Sequence, residues 1–258
     1  MVQIPVTVTD PRGAPVLGLG QSSFRLFEDG VELPITNFSM SDTPISTGIV
    51  FDSSRSMKSR IEASKAAVEQ FLKTGGAGDD YFLVRFSDKV EALSGITGDT
   101  DEISRQLATI KAAGWTALFD AIGFAAHAAR NSQHRRVLVV LTDGEDNNSR
   151  YSESELISML READVGVYAI SLIDRPRHLK TICEETGGSV IWVRKMSELP
   201  DAMEDLSRRI RSEYLLSYIP AASPNDGRYH KVRIEVQQPE GSPRLSAYWR
   251  RGYMAPGE

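Results

Sequence analysis

Between residues 44 and 211, short and mostly apolar runs alternate with stretches whose apolar residues recur at helical spacing, and this alternation constrains the fold more than any other feature. The runs fall at 45–51, 81–86, 137–141, 165–172 and 189–193. A strand that is apolar on both faces has to be covered on both faces, so the pattern predicts a mostly parallel sheet, doubly wound with helices. The segments between the runs supply those helices. In 57–73, Ile61, Val68, Phe71 and Leu72 share one helical face. Leu107, Ile110, Leu118, Ile122, Leu156 and Leu160 mark further helices. Residues 91–94, joined to 81–86 by Ser87-Asp88-Lys89, predict an antiparallel edge hairpin.

The two flanks, 1–43 and 212–258, read differently. Val2, Ile4, Val6 and Val8 alternate with other residues, and Pro5 among them suits an edge strand. Asp29-Gly30 sits at the centre of 24–33, a hairpin signal. Tyr214, Leu216 and Tyr218 alternate, as do Val232, Ile234 and Val236, with Pro224-Asn225-Asp226-Gly227 as a turn between them. Leu245, Ala247 and Trp249 repeat the pattern. Neither flank is long enough to build a core alone. The economical arrangement is one small β-sandwich made from both chain ends, with an α/β domain of 44–211 inserted in it. Two separate β appendages are the alternative.

Bulk properties narrow the function classes. A formal net charge of −5 argues against a nucleic-acid binder, which carries a basic stripe. The apolar runs are far too short to cross a bilayer. The single cysteine, Cys183, excludes an internal disulfide and a cysteine-rich zinc site, and its place in a helical segment suits a buried, inert thiol. His127, His134, His178 and His230 show no metal-ligand spacing. A strand beginning at the second residue reads as a chain trimmed from a longer one, so a missing export signal says little about the parent protein.

The chemistry is concentrated at strand ends. The run 45–51 leads straight into Asp52-Ser53-Ser54-Arg55-Ser56, and 137–141 leads into Thr142-Asp143-Gly144-Glu145-Asp146. In open parallel sheets ligands bind outside the carboxyl ends of the strands, near the switch in strand order. Three oxygens of an Asp-x-Ser-x-Ser turn, a hydroxyl from Gly114-Trp115-Thr116 and a second carboxylate from Asp143 form a hard-cation donor set. Two carboxylates against a divalent ion leave the centre close to neutral, and hydroxyls leave the ion open to an outside carboxylate. Such a set lacks a histidine base and an evident nucleophile–base pair, which favours recognition over hydrolysis.

These three motifs, in this order, resemble the metal-ion-dependent adhesion site of von Willebrand factor A domains, a resemblance that spans about 45–211. It implies a doubly wound sheet and a cation, Mg²⁺ with Mn²⁺ or Ca²⁺ as alternatives, held by Asp52, Ser54, Ser56, Thr116 and Asp143. It also implies a protein partner whose Glu or Asp completes the shell, and a binding rather than a catalytic role. Arg55 and Trp115, inside the site loops, are candidate partner contacts. The flanks, with Phe24-Arg25-Leu26-Phe27-Glu28-Asp29-Gly30 and Arg251-Gly252-Tyr253, resemble bacterial von Willebrand A-related proteins first noticed in acidobacteria, which implies an extracytoplasmic (periplasmic or secreted) parent.

Three competing readings stand beside this one. Ser56 could cap the helix that follows it. The site could be vestigial in a purely structural module. A Mg²⁺-dependent phosphohydrolase of the haloacid dehalogenase type requires an acid two positions after its nucleophile, where this chain has Ser54. Asp120 and Asp146, near the site in sequence, are expected to be solvated surface carboxylates, with support of the metal ligands as the alternative.

Overall fold

The computed structural model describes residues 1–41, 43–172, 177–221, 226–238 and 244–257; Pro224 and Asn225 of the expected turn lie outside the described residues. In chain order the strands are β1 (Val2–Thr9), β2 (Phe24–Glu28), β3 (Val31–Leu33), β4 (Ile35–Met40), β5 (Ile45–Asp52), β6 (Asp80–Phe86), β7 (Val90–Ala92), β8 (Arg135–Thr142), β9 (Gly166–Ser171), β10 (Val190–Trp192), β11 (Glu213–Tyr218), β12 (Tyr229–Val236), β13 (Ser246–Trp249) and β14 (Gly252–Met254). The helices are α1 (Ile61–Lys73), α2 (Thr100–Ala108), α3 (Leu118–Ala129), α4 (Glu153–Ala163), α5 (Arg177–Glu185) and α6 (Leu199–Arg211).

The chain forms two compact units, one of Thr43–Cys183 with Ser189–Ser207, the other of Met1–Asp42, Glu184–Gly188 and Arg208–Glu258. The short segment Glu184–Gly188 joins the second unit through its backbone: the Glu185 carbonyl accepts from the Arg251 amide at 3.2 Å, and Thr186 bridges to Arg250.

In the α/β unit the sheet order is β10-β9-β8-β5-β6-β7. All pairs are parallel except β6 with β7, the expected antiparallel edge. Every residue of β5 is buried, as a strand covered on both faces requires. Val50 of β5 joins the core that β6, β8 and β9 build with α3, α4 and α5, where Leu118, Ile122, Leu156, Leu160 and Cys183 are also buried. Ile49 and Phe51 alternate to the opposite face and are equally buried. Gly48 is required at its position, because a Cβ there would stand 2.3 Å from the Phe82 ring and 2.7 Å from Leu138. The chain goes from β5 to β6 on one side, whereas β8, β9 and β10 follow on the other. The switch in strand order therefore lies between β5 and β8, and the crevice there opens at their carboxyl ends.

The second unit is a β-sandwich of two antiparallel sheets, β13-β1-β11-β4 and β14-β12-β2-β3, to which both chain ends contribute. Ile4, Val6, Val8, Tyr214, Leu216 and Trp249 from one sheet share a core with Phe24, Leu26, Val232, Ile234 and Tyr253 from the other. The Asp29-Gly30 hairpin forms as expected, with φ of 49° and 88° suiting the turn that joins β2 to β3. The position of β1 departs from the sequence expectation: it lies inside its sheet, between β11 and β13. Pro5 is tolerated because β13 pairs only with Val6 to Thr9, so Pro5 lies beyond the end of that ladder.

Candidate metal centre

Asp52 ends β5 and is fully buried, while Asp143 immediately follows β8 with its side chain out of solvent contact. The turn after β5 folds back on Asp52, whose Oδ1 accepts from the Ser54 amide at 2.8 Å. Its Oδ2 accepts from the Thr142 hydroxyl at 2.6 Å. Ser54 Oγ lies 3.0 Å from Ser56 Oγ, and Ser56 Oγ donates to Asp143 Oδ1 at 2.6 Å. A hydrogen-bonded chain thus links four of the five sequence-predicted ligands across two strand ends. The capping role considered for Ser56 is not the one it plays. Residues 55–59 form a 3-10 turn, and α1 starts only at Ile61, without a side-chain cap.

Thr116 arrives from a third loop and is buried. Asn147 clasps its backbone, with Oδ1 accepting from the Thr116 amide at 3.0 Å and the Asn147 amide donating to the Thr116 carbonyl at 3.0 Å. The Thr116 side chain packs beside Gly144, where a Cβ would stand 3.4 Å from Thr116 Oγ1. The loop carrying Thr116 is tied to the first motif by two backbone bonds, Arg55 amide to Gly114 carbonyl (3.0 Å) and Ala113 amide to Ser53 carbonyl (2.8 Å). Asp88 holds it from the β6–β7 turn by accepting from the Trp115 amide at 2.7 Å. Gly114 has φ +85°, and a Cβ there would sit 2.4 Å from Asp88 Oδ2, so only glycine serves.

The centre is rich in negative charge and poor in compensation. Burial pushes the Asp52 carboxyl above its ordinary range; the bonds from Thr142 and Ser54 pull it back, and the nearby charge of Asp143 pushes it up again. The one cationic side chain bonded to either carboxylate among the described residues is Arg60, whose guanidinium pairs with Asp143 Oδ2. Hydroxyl and carboxylate oxygens without nitrogen or sulfur are the donor chemistry of a hard divalent ion. Arg55 and Trp115 are both exposed at the rim, Trp115 with 66% of its surface accessible.

Asp120 and Asp146 correct the sequence expectation, since they are not simple solvated carboxylates. Asp120 is buried and accepts from the amides of Arg150 and Tyr151 at 3.0 and 3.1 Å. Asp146 accepts from the Phe119 amide at 3.2 Å at the start of α3. The two acids cross-brace the loop after β8 against α3. Arg60, Asp88 and Asn147 were not singled out from the sequence. They act through tertiary neighbours, and no local spacing marks them.

Residues 47–145 match a family model described as von Willebrand factor type A domain. The match lies within the α/β unit and takes in Asp52, Ser54, Ser56, Thr116 and Asp143. Solved structures share the fold. A von Willebrand factor type A protein from Catenulispora acidiphila is 13% identical with a TM-score of 0.61, over 97% of this chain and 74% of that one. The vWF domain of the type V pili tip protein Mfa5 from Porphyromonas gingivalis is 12% identical with a TM-score of 0.55, over 65% and 95%. An aerotolerance-related membrane protein from Bacteroides fragilis is 19% identical with a TM-score of 0.54, over 64% and 98%. No curated protein matches the chain. Among the described residues no helix is long and apolar enough to cross a membrane.

Proposed function

We propose that this protein is a divalent-cation-dependent protein-binding module. In this reading Asp52, Ser54, Ser56, Thr116 and Asp143 hold Mg²⁺, or Mn²⁺ or Ca²⁺ in its place, and a Glu or Asp of a protein partner completes the shell. The observation that carries the proposal is the hydrogen-bonded chain from Asp52 through Ser54 and Ser56 to Asp143. It holds two buried carboxylates and two hydroxyls together at the switch point of the sheet, with Thr116 beside Gly144. Burying two carboxylates so close together is costly without a cation, and a bound ion would remove that cost. Arg55 and Trp115 give the partner a rim to contact.

Binding rather than catalysis suits the residues present. Ser54 stands where a phosphohydrolase of the haloacid dehalogenase type needs an acid, and its hydroxyl is directed to Ser56. A pilus tip protein and a membrane protein share the fold, which supports an extracytoplasmic setting for the chain. Calorimetric titration with MgCl₂ and MnCl₂ tests the metal: one site per chain is expected in the wild type, and none in Asp52→Ala. Absence of binding by the wild type, or unchanged binding in the variant, would leave a structural module with a vestigial site.

A further inference from the structure

We infer that Arg60 is a built-in counter-ion of this centre. It compensates Asp143 when no cation is bound, competes with the cation, and gives the loaded site a net positive charge that favours a carboxylate ligand. The inference rests on the cation-binding reading above and deepens it.

Four carboxylate oxygens face the centre, and three of them take neutral donors: Asp52 Oδ1 from the Ser54 amide, Asp52 Oδ2 from Thr142, and Asp143 Oδ1 from Ser56. The fourth, Asp143 Oδ2, takes the Arg60 guanidinium. A charge-assisted bond is the stronger kind, and here it goes to a carboxylate with no exposure of its own. The Arg60 backbone is held in place, its amide donating to the Met57 carbonyl at 2.8 Å and its carbonyl accepting from the Ser64 amide at 2.9 Å. Its side chain, in contrast, is 37% exposed against 0% for Asp143. The guanidinium can therefore withdraw toward water while Asp143 stays in place.

The charge balance gives this arrangement its consequence. Two carboxylates and one guanidinium leave one net negative charge. A divalent ion turns that into one positive charge, and the carboxylate of a partner then brings the centre to neutrality. Without Arg60 the loaded centre would be neutral before the partner arrives, and the partner's acid would add an uncompensated negative charge. Arg60 thus weakens the metal and strengthens the acid ligand.

The test uses the full chain as wild type, Arg60→Gln and Arg60→Lys. Titrated with MgCl₂ or MnCl₂ at constant ionic strength, Arg60→Gln is expected to bind the ion about tenfold more tightly than the wild type, and Arg60→Lys about as the wild type does. In chelator Arg60→Gln melts lower than the wild type, and saturating Mg²⁺ raises its melting temperature by more. Acetate added to the Mg²⁺-loaded proteins, followed by amide chemical shifts, binds more weakly to Arg60→Gln. Equal or weaker metal binding in Arg60→Gln, or a melting deficit that Mg²⁺ does not reverse, overturns the inference while the cation reading stands on wild-type binding. If neither protein binds metal, both readings fall. Binding by Arg60→Gln alone would overturn both readings, because the wild-type centre would then never hold a cation for a partner's acid to complete.

Discussion

Ser56 Oγ donates to Asp143 Oδ1 at 2.6 Å, joining the turn after β5 to the end of β8 across 87 residues of chain. The hydroxyl is thereby committed to the centre instead of the helix it precedes. Ser56→Ala removes one proposed cation ligand and one bond to Asp143. It is expected to weaken Mg²⁺ binding about tenfold or more, and to cost about 1.5–3 kcal/mol of stability in the metal-free protein, the range of a hydrogen bond to a charged group. Calorimetry and urea melts measure the two effects separately. Equal metal affinity in Ser56→Ala would remove Ser56 from the ligand set.

The loop that presents Thr116 depends on Gly114, which combines φ +85° with close approach to Asp88. Gly114→Ala adds backbone strain and displaces the Asp88 carboxylate that accepts from the Trp115 amide. A loss of about 1–3 kcal/mol is expected. Metal affinity should fall with it, because the Arg55–Gly114 backbone bond registers the two loops. A melting curve unchanged from wild type would show that the loop relaxes freely and does not set the position of Thr116.

How much of this was legible in the sequence depends on how local the cause is. Strand β5 was legible because burial on both faces leaves a run without charged residues and ending in Ile49-Val50-Phe51, and Asp52 was legible because that run stops at a turn. The same holds for β8 and Asp143. Arg60 was not legible, since an arginine before a helix has no spacing that points to an acid on another strand. Asn147 and Asp88 position Thr116 and Trp115 through backbone amides, which any sequence supplies. Asp120 read as a surface acid because its partners, the amides of Arg150 and Tyr151, come from a distant loop. Pro5 pointed to an edge strand, but the ladder of β13 ends before reaching it.

In the β-sandwich Glu28 is 2% exposed, and it is held by Tyr218 (2.6 Å), Tyr253 (2.9 Å) and the Ala221 amide (3.2 Å). Burial, with the carboxylate close by, raises both phenols above their ordinary range, so each stays a donor at any physiological pH. Tyr218→Phe and Tyr253→Phe each delete a hydrogen bond to a charged acceptor and are expected to cost about 1.5–3 kcal/mol. The two losses should be non-additive, because both hydroxyls share Glu28 Oε2. Urea melts of the single and double variants check this; full additivity would show the two phenols to be independent of each other.

His230 sets the pH response of the same unit. It is 5% exposed and stacks on Tyr253 with ring centroids 5.4 Å apart. Its Nδ1 lies 2.8 Å from Asp29 Oδ2 and its Nε2 lies 3.1 Å from Asp226 Oδ1. Carboxylates only accept, so both bonds require the imidazolium. The bond to Asp29, with help from Asp226, holds the histidine above its ordinary value of 6.5 despite burial. Stability from His230 is therefore fully present below pH 6.5 and is lost as pH rises through the raised folded value. The carboxyls respond in the opposite direction. Backbone bonds, from Lys231 to Asp29 and from Arg228 to Asp226, together with His230, hold them below 3.8, so their contribution is present above that pH and is lost on further acidification. Urea midpoints should thus plateau in weak acid and decline on both sides. His230→Gln should abolish the decline on the alkaline side, above pH 6.5. If His230→Gln keeps the wild-type slope there, the alkaline loss belongs to another group.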